Sequence, residues 1–249
     1  CPYDQGGYFV IKGKEKVFLS QESKVNNILY INKINADNII LQGNIKTISN
    51  EGFQSSRTNN VTYRSVNLLQ HTNLRKYLES AYNIKDKKLN VFDVRILGVT
   101  QEEGGKDLHI PLFILFRALG FITDKEILNL IINEEDDDNL KSILFNLLIP
   151  SIKDSQPIYN QKNAIKYISL HVKNKEIINV IDMLNNNFLP NYGNNYKFKA
   201  IYLGYIVRKM LLTHLNINKE TDRDSYSYKR INLAGSLLLE LYRELWGKF

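Results

Sequence analysis

The sequence predicts an α+β fold, with a strand-rich N-terminal part packed with a helical C-terminal part, and three observations carry that prediction. Short runs of β-branched and aromatic residues fill the first hundred positions, and apolar residues recur at helical spacing from Pro111 onward. A hydrophobic content of 43% over 249 residues is enough to bury a sizeable core in one large domain or two small ones. The same composition excludes disordered, collagen-like and disulfide-scaffold chains.

In chain order, residues 6 to 22 read as a β-hairpin. Gly6-Gly7-Tyr8-Phe9-Val10-Ile11 is the first strand, Lys12-Gly13-Lys14 a polar turn, and Val17-Phe18-Leu19 the returning strand. From about 25 to 100, three β-rich runs stand among polar stretches: Asn38 to Leu41, Val61 to Val66 and Val91 to Leu97. A helix is expected near Leu74 to Tyr82. Glu102-Glu103-Gly104-Gly105-Lys106 is a turn that closes this region. Helical spacing follows in Ile127, Leu128, Ile131 and Ile132, in Ile143, Leu144, Leu147 and Leu148, and in Ile177, Ile178, Ile181 and Leu184. Pro150, Pro157 and Pro190 are expected to punctuate these helices, with Pro111 at the first position of one. Thr123 with Glu126 forms a capping box. Two longer helices are expected at about Lys197 to Leu215 and Leu233 to Trp246, the second with Leu233, Leu237, Leu241 and Leu245 at a spacing of four.

The familiar catalytic arrangements are missing from the sequence: no phosphate loop, dinucleotide fingerprint, zinc-protease motif or nucleophile elbow occurs. The four histidines, His71, His109, His171 and His214, have no metal spacing and read as surface or hydrogen-bonded structural groups. The run Glu134-Glu135-Asp136-Asp137-Asp138 could suggest magnesium. Adjacent carboxylates rarely surround an ion, however, and a solvated loop or a carboxylate-rich helix start explains the run more simply. Cys1 has no partner within the chain, which fits a reducing compartment. The longest apolar run, Ile110 to Phe116, stops at Arg117 and is far shorter than a bilayer span, so a soluble protein without a membrane partner is expected. The start on Cys1-Pro2-Tyr3-Asp4 reads as a cut from a longer chain.

With 33 Lys and Arg against 26 Asp and Glu, the net charge is +7. That balance alone does not separate nucleic acid from membrane headgroups. The segment Asp222-Arg223-Asp224-Ser225-Tyr226-Ser227-Tyr228-Lys229-Arg230 combines carboxylates, tyrosines and a Lys-Arg pair ahead of the last helix. Cations can neutralise phosphates, aromatic faces can stack on bases, and a carboxylate can accept from a base amino group. The same residues also read as an ordinary salt-bridged loop. Further cations stand at Arg57, Arg64, Arg75-Lys76, Lys85 to Lys88 and Arg208-Lys209.

Five ordered blocks resemble one family. Cys1 to Ile11 with Gly13, Glu15-Lys16-Val17 and Gln21-Glu22 is similar to a signature of the second-largest, beta-like subunit of multisubunit DNA-directed RNA polymerases. Ile110 to Gly120, ending Phe116-Arg117-Ala118-Leu119-Gly120, resembles the next landmark. Phe188-Leu189-Pro190 follows, and then Lys199-Ala200 and Leu203-Gly204-Tyr205 with Leu211-Leu212. The last block is Asp222-Arg223-Asp224 with Lys229-Arg230 and Leu233-Ala234-Gly235. The wording is closer to the archaeal, eukaryotic and large-DNA-virus type than to the bacterial one. It is weakest over residues 23 to 105.

The resemblance implies a lobe at 23–223, an α+β module lining the downstream DNA cleft. It would be flanked by a protrusion-type hairpin segment at 1–22 and a return segment at 224–249, with the termini close together. It implies no catalytic residue here, since the family's magnesium-binding aspartates belong to the largest subunit and its zinc site lies downstream of this region. Implied partners are the largest and other polymerase subunits, downstream duplex DNA and initiation factors. The compartment would be intracellular: a nucleus, or a virion or host cytoplasm for a viral source. Asp224, Lys229 and Arg230 are the expected nucleic-acid contacts. Ser225-Tyr226-Ser227-Tyr228 departs from the family's usual residues, which puts the shape of that turn in doubt. Arg117 is expected to be structural, pairing with a carboxylate or a helix end. Two other readings stay open, an autonomous nucleic-acid-binding module and a pure protein-docking domain.

Overall fold

The computed structural model describes residues 2–4, 6–36, 38–49, 56–66, 89–96, 109–170, 172 and 176–246. The helix expected near 74–82, the 102–106 turn, the cations at 75–76 and 85–88, His71, His171 and the extreme termini lie outside the described residues. The chain divides into two units, residues 27–221 and residues 1–26 with 222–249. Helices and sheets of five, two and two strands make it an α+β fold, as expected.

The larger unit is built on an antiparallel sheet in simple chain order, β4 (Leu29–Ala36), β5 (Ile39–Thr47), β6 (Arg57–Val66), β7 (Leu89–Ile96) and the two-residue β8 (Ile110–Pro111). The expected runs at 38–41 and 61–66 are the cores of longer strands, and β4 was not foreseen. Alternation fixes the register: Leu41, Gly43 and Ile45 are buried on β5, opposite Tyr63, Val61 and Asn59 of β6. Tyr63 stacks on Phe92 at 4.4 Å, joining β6 to β7 within that layer. Gly43 leaves room for Met210, whose Sδ lies 3.0 Å from where a Cβ would stand, so a helix can lie close on the sheet.

That helix is α6 (Tyr196–His214), capped by the Asn195 side chain, which accepts from the Phe198 N–H at 3.2 Å. Around it stand α1 (Leu112–Ala118), α2 (Asp124–Ile131), α3 (Asp138–Asp154), α4 (Gln161–Ser169) and α5 (Ile177–Asp182). Every residue of α1 is buried, as its unbroken apolar run requires. Pro111 is the residue before the helix and not its first position, because it still pairs with Asp93 in the sheet. The Thr123–Glu126 capping box forms at the start of α2. Gly204 lets α6 cross α2 closely, since a Cβ there would sit 2.6 Å from the Leu130 carbonyl oxygen.

Two further expectations for the helices are corrected. Pro150 does not end a helix but lies inside α3. An interior proline costs about 3 kcal/mol, and burial of Leu144, Leu148 and Ile152 on the same helix offsets it. Of the apolar face expected from Ile177, Ile178, Ile181 and Leu184, only Leu184 is buried, and Val180 and Met183 are buried beside it while the three isoleucines are exposed. The buried face keeps helical spacing but is drawn from Val180, Met183, Leu184 and Asn187, so the isoleucines at 177, 178 and 181 fall on the opposite side.

The smaller unit holds a hairpin of β1 (Tyr8–Ile11) and β2 (Lys14–Val17), a ladder of β3 (Gln21–Lys24) with β9 (Lys229–Asn232), and helix α7 (Ala234–Trp246). The returning strand starts earlier than expected. Lys12 and Gly13 both adopt positive φ, a two-residue loop that pairs Ile11 with Lys14 and leaves Phe18 and Leu19 beyond the strand. Among its described residues none is fully buried, and Leu233 just before α7 and Leu241 and Leu245 on its apolar stripe are all exposed.

Candidate nucleic-acid interface

Asp222 opens the segment as a turn former, its carboxylate accepting from the Asp224 N–H at 2.9 Å. Tyr226–Tyr228 then make a single 3₁₀ turn, the form taken by the Ser-Tyr-Ser-Tyr stretch that departs from the family pattern. From Lys229 the backbone is extended and pairs with β3 in the register Gln21↔Asn232, Glu22↔Ile231, Ser23↔Arg230 and Lys24↔Lys229. The Val25 N–H donates to the Tyr228 carbonyl at 3.0 Å and extends the ladder by one bond.

Because side chains alternate across a strand, Lys229 and Arg230 do not share a face. Lys229 lies on the face that holds Lys24, directly opposite, and Glu22, its diagonal neighbour. Its Nζ is 2.6 Å from Glu22 Oε1, with the two side chains 21% and 56% exposed. The Glu22 carboxylate, first by hydrogen bonding and then by charge, raises the Lys229 pKa, with smaller support from Asp224 and Tyr226. The Tyr226 ring centroid is 5.8 Å from the same ammonium. Arg230 is exposed on the other face and folds back onto its own backbone, donating to the Lys229 carbonyl at 2.7 Å. Asp224 is exposed in the turn. The three expected contact residues are thus close in the chain and accessible to different degrees. Glu22 and Lys24 join them across the ladder, and sequence reading had not counted either as a site residue.

Three other arginines and the acidic run are held in structural pairs or turns. Arg208 makes a two-pronged pair with Asp136, 2.6 Å on each arm, and donates to the Ile131 carbonyl. Only Asp138 of the acidic run enters a helix, at the first turn of α3, so the solvated-loop reading describes the rest apart from Asp136. Arg64 pairs with Asp93. Arg117 is wholly buried and pairs with Asp124 at 2.5 Å, while its other arm donates to Ser155 Oγ at 3.1 Å and to the Ile158 carbonyl. It pins α1 to the start of α2 and the end of α3, as expected for a structural arginine.

Lys199 is the buried cation that sequence reading quoted as a landmark but gave no role. Its ammonium donates to the carbonyls of Leu184 at 2.5 Å, Asn185 at 3.0 Å and Phe188 at 2.7 Å, closing the π turn. Burial pulls its pKa down to about 8. Of the histidines, His214 packs edge-on against Tyr63 at 5.1 Å. Among the described residues no group of three His, Cys, Asp or Glu side chains could hold a metal, and no helix is long and apolar enough to cross a membrane.

Comparison with known proteins gives these blocks a family. The family model "RNA polymerase Rpb2, domain 2" matches residues 105–232, just over half of the chain. The chain is 33% identical over its whole length to the DNA-directed RNA polymerase II subunit RPB2 of Encephalitozoon cuniculi, and 32% to DNA-directed RNA polymerase II subunit 2 of Arabidopsis thaliana. To the archaeal subunit Rpo2 of Sulfolobus acidocaldarius it is 26% identical, again over its whole length. These alignments also run through residues 23–105, where the motif resemblance was weakest. The chain spans about a fifth of the length of these relatives: 20% of the first two and 19% of the third. With its landmarks in order and the family model on its helical half, the chain belongs to the family of the second-largest subunit of DNA-directed RNA polymerases.

Proposed function

We propose that this chain serves as the lobe region, with two flanking protrusion segments, of the second-largest subunit of a DNA-directed RNA polymerase. It lines the downstream DNA cleft and offers docking surfaces to the largest subunit, to other subunits and to initiation factors. It supplies no catalytic group: magnesium and zinc are held elsewhere in the complete polymerase. The observation that carries this reading is the Asp222–Arg230 block, a family landmark that keeps Lys229 and Arg230 at the surface of a two-stranded ladder. Surface cations on such a ladder neutralise phosphates without reading sequence.

The test replaces Lys229 and Arg230 together by Ala in an assembled polymerase. Each lost phosphate contact flattens the salt dependence of DNA retention by about 0.9 in log–log slope. Open complexes of the double variant should dissociate faster, with a shallower salt dependence. An unchanged lifetime and slope would favour the pure docking-domain reading, which has its own support in the exposed Leu233, Leu241, Leu245 and Trp246 of α7. Nanomolar binding of duplex DNA by the 249-residue chain alone would instead favour an autonomous binding module.

A further inference from the structure

The β3–β9 ladder places two lysines and one carboxylate on a single face. Lys24 and Lys229 are directly opposed, and like charges in that position repel. Glu22, diagonal to Lys229 and bonded to it at 2.6 Å, relieves the repulsion. An ion pair this exposed is weak, so a phosphate oxygen can displace the carboxylate at little cost. While the pair stands, however, Glu22 both occupies the best donor of Lys229 and presents a negative charge to any approaching phosphate. Its partner strand adds no other carboxylate to that face, since Gln21 and Ser23 alternate to the other side.

We propose that Glu22 is a tuning residue for DNA contact: it holds the Lys24–Lys229 face in a partly neutralised state and so limits how tightly and how salt-dependently that face grips a nucleic-acid phosphate. This rests on reading the Asp222–Arg230 block as a nucleic-acid contact, and the ligand is the phosphate backbone of duplex DNA, not a base. Glu22 is a positioning residue in this scheme. It acts through Lys229 and touches no phosphate itself.

The experiment uses assembled polymerase carrying substitutions in the second-largest subunit, with open-complex half-life followed on one promoter duplex across a potassium chloride series. Glu22→Gln keeps the side chain's shape and a carbonyl acceptor but removes the charge. It should lengthen the half-life about 1.5- to 5-fold, the range of an exposed ion pair, and steepen the salt slope by up to about 0.9. The same substitution is then made in a Lys229→Ala background, where the effect should vanish. Persistence of the Glu22→Gln effect without Lys229 would mean simple long-range repulsion and would overturn the proposal. So would a Lys229→Ala effect accompanied by no response to Glu22→Gln, and in that case the nucleic-acid reading of the block would survive. If Lys229→Ala and Lys229→Ala/Arg230→Ala are both silent, the nucleic-acid reading fails and the tuning role fails with it. Glu22→Ala serves as a second variant, and thermal unfolding of both should match the parent because the pair is exposed.

Discussion

The two units of the chain divide burial between them very unequally. Residues 27–221 contain every fully buried side chain among the described residues, including large ones such as Tyr63, Phe92, Phe113 and Phe116. The described residues of 1–26 and 222–249 include none, although α7 has a clear apolar stripe. A stripe creates the need for a partner without supplying one. Burial of apolar area is the main stabilising term in folding, so the larger unit has the means to fold on its own. The smaller unit has its ladder and hairpin bonds, the Glu22–Lys229 ion pair and a few exposed ring contacts, and isolated two-stranded pairs are marginal in water.

The sharpest way to break this contrast is to attack the larger unit at Lys199, the one buried lysine among the described residues. Lys199 satisfies the carbonyls of Leu184 and Asn185 in the π turn and of Phe188 just after it. In Lys199→Met those three acceptors lose their donor inside the core, where each unpaired group costs about 1–3 kcal/mol. We expect a loss of about 3–5 kcal/mol, read from the far-ultraviolet dichroism midpoint in urea. Met is close in length and apolar, so a variant as stable as the parent would show that the ammonium's desolvation cancels its bonds. The depressed pKa gives a second handle. A lysine titrating near 8 when folded and near 10.5 when unfolded binds fewer protons in the native state between those values. Stability should therefore rise as pH climbs from about 8 to about 10.5, and Lys199→Met should remove that rise.

Asp136 tests the same unit at an intermediate scale. Arg208, first by hydrogen bonding and then by charge, holds its carboxyl below the usual value of 3.8. A depressed acid contributes stability that is complete above the unfolded pKa and is lost as pH falls through the folded one. The contribution should thus be intact at neutral pH, begin to fade below about pH 3.8 and be gone only once the pH is under the lowered folded value. Asp136→Asn should cost about 1–3 kcal/mol at pH 7, the range for hydrogen bonds to charged groups, and less and less as the solution is acidified. A penalty that stays constant down to pH 2 would show that packing, not charge, is what the carboxylate supplies.

How much of this was legible in the sequence follows the physics of each element. The capping box at Thr123 was legible because it depends on two side chains and one local backbone geometry. The hairpin was legible in kind, but its register was set by positive φ at Lys12, which a lysine does not advertise. The strand β3 was missed because Gln21-Glu22-Ser23-Lys24 is polar and half-exposed, and its partner lies some 200 residues away. The ion pair between Glu22 and Lys229 was illegible for that same reason. The block at Asp222–Arg230 was visible as chemistry, and the family landmarks supplied a role, but the split of Lys229 and Arg230 between two faces needed the pairing register. The exposed face of α5 was misread because the segment is apolar on more than one side, and periodicity alone does not say whether the isoleucines or Val180 with Met183 and Leu184 face the core.

The smallest effect is expected where the sequence looks most ordinary, and it bears directly on the contrast between the units. Leu211 is completely buried on α6 and Leu241 is 48% exposed on α7. Leu211→Ala should cost about 2–5 kcal/mol, while Leu241→Ala in the same 249-residue chain should stay within about 0.5 kcal/mol. Trp246, the single tryptophan, sits on α7 and reports the smaller unit by fluorescence, whereas dichroism is dominated by the helices of the larger one. The two signals need not share a midpoint, because nothing buried in the smaller unit ties its melting to a core of its own. A Leu241→Ala penalty equal to that of Leu211→Ala would mean that α7 is covered in solution by the chain itself, and the unequal division of burial would be wrong. A penalty that is negligible in the chain but large in an assembled polymerase would locate the partner of α7 outside these 249 residues.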